Sequence, residues 1–150
     1  MTEQTLRVGD AAPDFALPDE TGAIVRLADL RGRRAVLYFY PMDDTAGCTA
    51  QACAFRDHYL QVRERNAIVL GISPDDGASH RAFKTKYDLP FTLLVDADHA
   101  VAVAYGAWRE DAGYVRRSQF IIDETGVLAD VQVPVKALES LDLALQALNR

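Results

Sequence analysis

The chain has 150 residues, of which 49% are hydrophobic and 25% are charged, and its net charge is −6. A chain of this length buries roughly 70% of the surface that it exposes when unfolded, so we expect one domain, residues 1–150, that folds without disulfides. The acidic balance argues against nucleic acid or an anionic membrane as the main partner. Because no apolar run suits a signal peptide or a membrane span, we expect a cytoplasmic protein with reduced thiols.

The predicted elements alternate between strands and helices. Continuous runs of β-forming residues indicate strands buried on both faces, and apolar residues at a helical period indicate amphipathic helices. In chain order the pattern predicts a strand over 35–40, a helix over 49–65, a strand over 67–72, a helix over 78–87, a strand over 91–95, a short helix over 98–105, a hairpin of 120–122 with 127–133, and a helix over 137–148. This order is typical of an α/β fold of thioredoxin type, in which helices flank a central mixed sheet.

Two of these elements carry expectations about which side chains are buried. In the second arm of the hairpin, alternation predicts one buried face made of Val127, Ala129, Val131 and Val133. In the last helix, a single apolar stripe is predicted to contain Leu138, Leu141, Leu145 and Leu148.

The two cysteines of the chain, Cys48 and Cys53, are the most informative residues. Cys48 follows Gly47 at the start of a predicted helix, where unpaired backbone N–H groups and the helix dipole favour the thiolate over the thiol. The thiolate is the nucleophilic form, so this position suits attack on an electrophile such as a peroxide oxygen. The first product of that attack would be a sulfenic acid.

Cys53 is the natural second thiol, but helix geometry sets a condition on its use. In an ideal helix two residues five positions apart have Cα atoms about 8.6 Å apart, whereas a disulfide needs about 4.4–6.8 Å. Formation of a disulfide therefore requires the helix to unwind, and its first turns should be only locally stable. Thr49 and Gln51, which have no packing role in the apolar stripe, are compatible with this expectation.

The cysteines have interpretations other than a redox site. Cys53 taken alone could equally be a small buried apolar residue. A zinc site is disfavoured because Cys48, Cys53 and His58 point in three directions and no Cys-x-x-Cys pair occurs. No glycine-rich nucleotide or dinucleotide loop occurs either, so we expect neither a metal nor a cofactor.

The remaining ionisable candidates are expected at the surface. His58 and His80 fall among polar residues of predicted helices, and His99 falls in a turn. Asp43 and Asp44 would oppose thiolate formation if they lay beside Cys48, so both are interpreted as solvated loop residues or helix caps.

Several segments resemble the peroxiredoxin family. Tyr38-Phe39-Tyr40-Pro41 and the pattern Pro41-x-x-x-Thr45-x-x-Cys48 resemble its active-site loop. The spacing Cys48-x-x-x-x-Cys53 resembles the Q-type branch, also called bacterioferritin comigratory proteins. Further similar segments, in the family's order, lie at 12–19, 71–75, 89–91, 105–108 and 117–123.

The resemblance implies roles for five residues. Cys48 would be the peroxidatic cysteine and Cys53 the resolving one. Thr45 would hydrogen-bond the thiolate or the peroxide, Pro41 would shape and shield the pocket, and Arg117 would stabilise the thiolate and the charge developing on oxygen.

Arg117 is preferred over its neighbour Arg116 for that role. The two face opposite sides of a strand, so only one of them can reach the pocket. The family pattern Arg-x-x-Phe selects Arg117, and Arg116 is expected to be a surface residue.

The chain departs from the common family pattern at three positions. Met42 stands where lysine is usual, Ala46 where proline is usual, and Gln119 where threonine or serine is usual. Loss of proline should loosen the loop, and Gln119, two residues along the same strand face, could alter how Arg117 is held.

The activity that the resemblance implies is reduction of hydrogen peroxide and small organic hydroperoxides by a monomer. A dithiol protein such as thioredoxin or glutaredoxin would then reduce the disulfide. A redox sensor that passes the same disulfide to a partner protein remains an alternative. A disulfide reductase is disfavoured by the missing Cys-x-x-Cys.

Overall fold

The computed structural model of the protein describes residues 5–150. In chain order its elements are β1 (Ala16–Pro18), β2 (Ile24–Arg26), a 3₁₀ turn (Leu27–Leu30), β3 (Arg34–Phe39), α1 (Ala46–Asp57), α2 (Tyr59–Glu64), β4 (Ala67–Ser73), α3 (Gly77–Tyr87), β5 (Thr92–Val95), α4 (Ala100–Ala104), β6 (Trp108–Arg109), β7 (Tyr114–Val115), β8 (Ser118–Ile122), β9 (Leu128–Gln132) and α5 (Ser140–Leu148).

A mixed sheet of five strands, in the order β5-β4-β3-β8-β9, forms the centre of the structure. Strands β3, β4 and β5 run parallel, and β8 and β9 add to them in antiparallel pairs. Leu37 in the central strand is paired with Leu70 on one side and with Phe120 on the other. The predicted α/β fold with a mixed sheet is therefore confirmed.

Helices and loops cover both faces of this sheet, which is why β3 is a continuous apolar run. Ala35, Leu37 and Phe39 pack into a core on the face of α4. Val36, Tyr38 and Tyr40 point to the opposite core, which contains buried residues of α1, α2, α3 and α5. None of the helices described over 5–150 combines the length and hydrophobicity that crossing a membrane requires.

The helix predicted over 49–65 is two helices, and it begins earlier than predicted. The first starts at Ala46, and the break falls at His58, whose backbone angles (φ −121°, ψ 18°) are not helical. Nδ1 of the His58 ring donates a hydrogen bond to the carbonyl of Ala54 over 3.1 Å. A side chain that bonds to the preceding turn competes with the regular backbone pattern.

The expected burial of the hairpin and of the last helix is partly wrong. A β-bulge between Ile121 and Ile122 adds a residue to β9, so Ala129 faces the core of α1 and α5 whereas Val131 faces the opposite core. Leu138 is 84% exposed because α5 begins only at Ser140. The strict alternation and the four-leucine stripe therefore do not hold.

Candidate active site

Cys48 lies in the first turn of α1, with its side chain buried beneath the loop that follows β3. Thr45 precedes the helix in an extended conformation, and the N–H of Thr49 makes the first regular bond, 2.8 Å to the Thr45 carbonyl. The preceding N–H groups of the first turn thus have no partner in the helical ladder. Cys48 is only 1% exposed, so these groups and the positive end of the helix act on the sulfur with little screening by water.

A guanidinium completes the surroundings of the sulfur. Nη2 of Arg117, just before β8, donates to Sγ of Cys48 over 3.3 Å, and Nη1 donates to Oε1 of Gln51 over 2.6 Å. A Cβ at Gly47 would lie 3.1 Å from that Nη2, so glycine leaves room for the arginine. Arg116, by contrast, lines a different cavity with Trp108.

A network of hydrogen-bonded side chains holds Arg117 against the sulfur. Its members are Arg117, Gln51, Ser140 and Gln119, and we call it the sulfur cluster. Nε2 of Gln51 donates to Oγ of Ser140 over 2.9 Å, and that hydroxyl donates to Oε1 of Gln119. Nε2 of Gln119 donates in turn to the Ser140 carbonyl over 3.1 Å. Gln119, at a position where the sequence departs from the family pattern, therefore reaches Arg117 through two intermediate side chains.

The expectation that Gln51 has no packing role is wrong. Its side chain is fully buried and bridges Arg117 to the start of α5. The sequence did contain a signal, because Gln51 lies three residues after Cys48 and residues at that spacing share a helix face.

Thr45 and Pro41 lie in the segment that joins β3 to α1. The hydroxyl of Thr45 donates to the carbonyl of Met42 over 3.0 Å, which leaves its lone pairs open to accept another hydrogen bond. Pro41 is half-buried at the end of the central strand. No hydrogen bond joins Thr45 to Cys48 among the described residues, and Arg117 is the group that touches the sulfur.

Cys53 is half-buried further along α1, and both cysteines are free thiols. The helix is continuous from Ala46 to Asp57, so it spans both of them. In this geometry their Cα atoms are too far apart for a disulfide.

Aromatic side chains belong to the same buried core as Cys48. Tyr38 is fully buried and stacks on Phe55 with ring centroids 5.4 Å apart. Its hydroxyl has no hydrogen-bond partner within residues 5–150. Burial first, and then the nearby Cys48, raise the pKa of Tyr38 well above its usual value, so this phenol stays protonated.

A second group of polar side chains, buried or half-buried, contacts the loop that precedes Cys48, and we call it the loop anchor: Tyr40, Asp43, Asp75, Ser79 and His80. Asp43 accepts from the Tyr40 hydroxyl over 2.5 Å, from Oγ of Ser79 over 2.8 Å and from Nδ1 of His80 over 2.7 Å. The backbone N–H of Asp43 donates to Asp75 over 2.8 Å.

The surface positions expected for Asp43 and His80 are therefore wrong. Both are buried, whereas Asp44 is an exposed loop residue paired with Lys86 at 2.7 Å, as expected. The spacing of His80, Phe83 and Tyr87 on α3 was the available signal, since residues so spaced lie on one helix face.

The other two histidines differ from each other. His58 is exposed, as predicted. His99 is half-buried, with its ring stacked on that of Trp108 at a centroid distance of 3.7 Å, so its assignment to the surface is only partly right.

The loop anchor also contains donor atoms suited to a metal. One ligand atom each from Asp43, Asp75 and His80 lie within 4.8 Å of one another. Each of these side chains already has hydrogen-bond partners within the anchor. Hydrogen bonding alone thus accounts for the cluster.

Comparison with known proteins is consistent with this geometry. A model of the AhpC/TSA family matches residues 8–131. Peroxiredoxin Bcp of Bacillus subtilis is 41% identical over 151 residues, covering 97% of this chain and 96% of that protein. The crystal structure of peroxidoxin BcpB from Mycobacterium tuberculosis superposes with a TM-score of 0.90 at 36% identity, covering 96% of this chain and 97% of that one.

A third similar protein is the bacterioferritin comigratory protein of Xanthomonas campestris, whose structure was described for its alkyl peroxide reduction activity. It is 28% identical, covers 90% of each chain and has a TM-score of 0.86.

A buried cysteine at a helix start, touched by an arginine and mounted on a mixed sheet flanked by helices, defines a thiol peroxidase with a thioredoxin-like fold. The chain belongs to the AhpC/TSA family and, within it, to the peroxiredoxins of the Bcp or Q type. It is thus an oxidoreductase that consumes a peroxide and a thiol reductant.

Proposed function

We propose that Cys48 is the peroxidatic cysteine of this enzyme and that its substrates are hydrogen peroxide and small organic hydroperoxides. The observation that carries the proposal is the 3.3 Å contact between Nη2 of Arg117 and the Cys48 sulfur in the first turn of α1. A fixed cation at this position stabilises the negative charge that develops on the peroxide oxygens during attack. The alkyl peroxide reduction described for the Xanthomonas relative supports the substrate class.

In the first step the Cys48 thiolate attacks the terminal oxygen of the peroxide. An S–O bond forms and the O–O bond breaks, so sulfur is oxidised to a sulfenic acid while the distal oxygen leaves with the bonding electron pair. That oxygen takes up a proton and departs as water or an alcohol. Arg117, already beside the sulfur, donates to the oxygens as negative charge moves onto them.

Thr45 and Pro41 arrange the peroxide for this attack. The Thr45 hydroxyl donates to the Met42 carbonyl, so its oxygen is oriented to accept the hydroperoxide O–H. Pro41, half-buried before the loop, keeps water from the reacting atoms.

In the second step Cys53 resolves the sulfenic acid. The start of α1 unwinds, the Cys53 sulfur attacks the sulfur of Cys48, an S–S bond forms and water leaves. A dithiol protein of the thioredoxin or glutaredoxin kind then supplies two electrons and two protons. It becomes a disulfide itself and restores both thiols.

A peroxidase assay coupled to thioredoxin, with peptide mass mapping, tests these roles. Cys48→Ser is expected to abolish turnover because the nucleophile is removed. Cys53→Ser is expected to react once with one equivalent of peroxide and to form no intramolecular disulfide. Peroxide turnover by Cys48→Ser would show that another group is the nucleophile, and thioredoxin-coupled turnover of Cys53→Ser at the parent rate would remove its resolving role.

We also propose that the chain forms one domain over residues 1–150 and acts as a monomer in the cytoplasm. The single five-stranded sheet, with backbone pairing from Gly9 at one end to Leu128 of β9, supports the first statement. The monomeric state and the location stay predictions from the sequence, and analytical ultracentrifugation checks the former.

A further inference from the structure

The loop from Pro41 to Thr45 is held by the loop anchor, which makes no contact with the Cys48 sulfur. The proposed reaction leaves these side chains without a role, although they include the only fully buried histidine within residues 5–150. A buried charged group is costly unless it is paired, so its presence here calls for a physical explanation.

His80 joins three parts of the fold. Its ring belongs to α3, its Nδ1 lies 2.7 Å from Asp43 in the loop, and its Nε2 lies 2.8 Å from the Leu94 carbonyl in β5. A carbonyl oxygen and a carboxylate can only accept hydrogen bonds, so both ring nitrogens must donate. The geometry therefore describes an imidazolium paired with an ionised Asp43.

Fixing Asp43 fixes the start of α1. Its backbone N–H is bonded to Asp75, and its carboxylate is bonded to Tyr40 and Ser79 as well as to His80. The next residue, Asp44, has a left-handed backbone (φ 59°), which turns the chain sharply toward Thr45, the residue that precedes the helix. The position of Thr45, and of Cys48 behind it, thus follows from the position of Asp43.

The same connection opposes formation of the disulfide. In an ideal helix the Cα atoms of the two cysteines are about 2 Å beyond the disulfide limit. Cys48 must therefore leave the first turn, and the chain before it must follow. Because Asp43 lies five residues before Cys48, this movement pulls on the contact between Asp43 and His80.

We propose that His80 is a positioning residue for the peroxidase reaction, holding the loop through Asp43 in the conformation in which Cys48 attacks peroxide. The proposal rests on the roles of Cys48 and Cys53 proposed above. Loss of the His80 contact shifts the protein toward the unwound form, so attack on peroxide slows and disulfide formation accelerates. General loss of folded structure would instead slow both steps.

Protonation of His80 gives this device a pH dependence with a defined sign. The titratable groups that face His80 are Asp43 from the loop, Asp75 after β4 and Tyr40 at the end of β3. Burial opposes the charged ring, but the hydrogen bond and charge of Asp43, with the Leu94 carbonyl and Asp75, outweigh it and raise the pKa of His80 above its usual value. The stabilisation of the loop by His80 is therefore fully present at pH values below the usual pKa of histidine. It is lost as the pH rises through the raised pKa of His80.

The experiment measures the two chemical steps separately by rapid mixing, acid quench and mass spectrometry of the cysteine peptides. His80→Leu removes both hydrogen bonds at similar volume, and His80→Asn restores an N–H directed at Asp43. The matched control is His58→Gln, at the exposed histidine beyond the far end of α1. Sulfenic acid formation is followed in the Cys53→Ser background, and disulfide formation is followed with both cysteines present.

We expect His80→Leu to slow sulfenic acid formation and to speed disulfide formation. A hydrogen bond to a charged group shifts an equilibrium by roughly tenfold or more, so changes of this order are expected. His80→Asn should recover most of both rates, and His58→Gln should match the parent protein. If His80→Leu does not fold, Asp43→Asn, which keeps the shape of the loop residue and removes its charge, is expected to shift the two rates in the same opposite directions.

Unchanged rates, a parallel fall in both steps, or the absence of recovery in His80→Asn would overturn the positioning role. The pH profile adds an independent readout. We divide the rate of disulfide formation in the parent by that in His80→Leu, so that the thiol chemistry common to both cancels. This ratio should rise toward one as pH increases. A ratio independent of pH would contradict the role of the imidazolium. Failure of this proposal can be distinguished from failure of the proposed function. If Cys48→Ser is inactive but the His80 variants react at the parent rates, only the positioning role of His80 is refuted.

Discussion

Two polar clusters flank Cys48, and they differ in what they touch. The sulfur cluster places the half-buried Arg117 against the sulfur and holds it through Gln51. The loop anchor contains its own ion pair between Asp43 and His80, and it is connected to Cys48 through the backbone. One cluster therefore places a charge at the sulfur, and the other holds the loop residue Asp43 in place.

The two clusters also differ in whether their hydrogen bonds depend on α1 being helical. Gln51 lies between the two cysteines on the helix, so unwinding of the segment that joins them disrupts its bond to Arg117. The sulfur cluster is thus complete only in the helical form, which is the form proposed for attack on peroxide. These interactions stabilise the helical form and oppose the unwinding that the proposed disulfide requires.

The largest expected effect comes from removing the charge at the sulfur. Arg117→Gln should slow the reaction with peroxide about 10²–10³-fold, the usual cost of losing a donor aimed at developing negative charge. The rate of Arg117→Lys should lie between those of Arg117→Gln and the parent. Lysine keeps the positive charge but lacks the two N–H groups with which arginine binds both the sulfur and Gln51. Single-turnover oxidation by hydrogen peroxide measures both variants, and a full rate in Arg117→Gln would contradict the electrostatic role.

A smaller effect is expected where the sulfur cluster is broken one residue away from the charge. Gln51→Leu removes the acceptor of Arg117 and leaves the Ser140 hydroxyl without its donor. A buried polar group left unpaired costs about 1–3 kcal/mol, so unfolding in urea should shift by this amount and sulfenic acid formation should slow about tenfold.

Gln51→Glu serves as the control for that variant. It keeps an acceptor for Arg117 and adds a charge that pairs with it, so the first step should stay close to the parent rate. Equal rates in Gln51→Leu and the parent would show that Arg117 is held without Gln51.

The smallest effect is expected from a substitution at the first residue of α1. Ala46 is the first residue of α1, and Thr45 before it is extended (φ −92°, ψ 158°), which suits a following proline. Ala46→Pro should stabilise the helical form by about 0.4–1 kcal/mol, because proline restricts the unwound chain. Disulfide formation should then slow by about two- to fivefold.

Sulfenic acid formation serves as the internal control for Ala46→Pro. It should be unchanged, since proline alters neither Arg117 nor the sulfur, and hydrogen exchange in the first turn of α1 should slow. Faster disulfide formation in Ala46→Pro would show that the first turn is strained rather than stabilised by proline.

Much of the fold followed from local patterns. The buried strands and the helix over Gly77–Tyr87 were predicted from runs and periods that local sequence determines. The bulge in β9 was missed, because an extra residue appears only where two strands pair. It places Ala129 and Val131 on opposite faces of the sheet. The short strands β6 and β7 carried too little pattern to be predicted.

For the site, the sequence by itself predicted the reacting groups, because their spacing is local. Cys48 at a helix start, Cys53 on the same helix and the need for unwinding between them follow from helix geometry alone. The tertiary structure alone decided which polar side chains are buried around them. Gln51, Asp43 and His80 looked like surface residues, since their partners lie up to 89 positions away in the chain. Burial of a polar group depends on partners that only the folded chain brings together, so no local pattern reveals it.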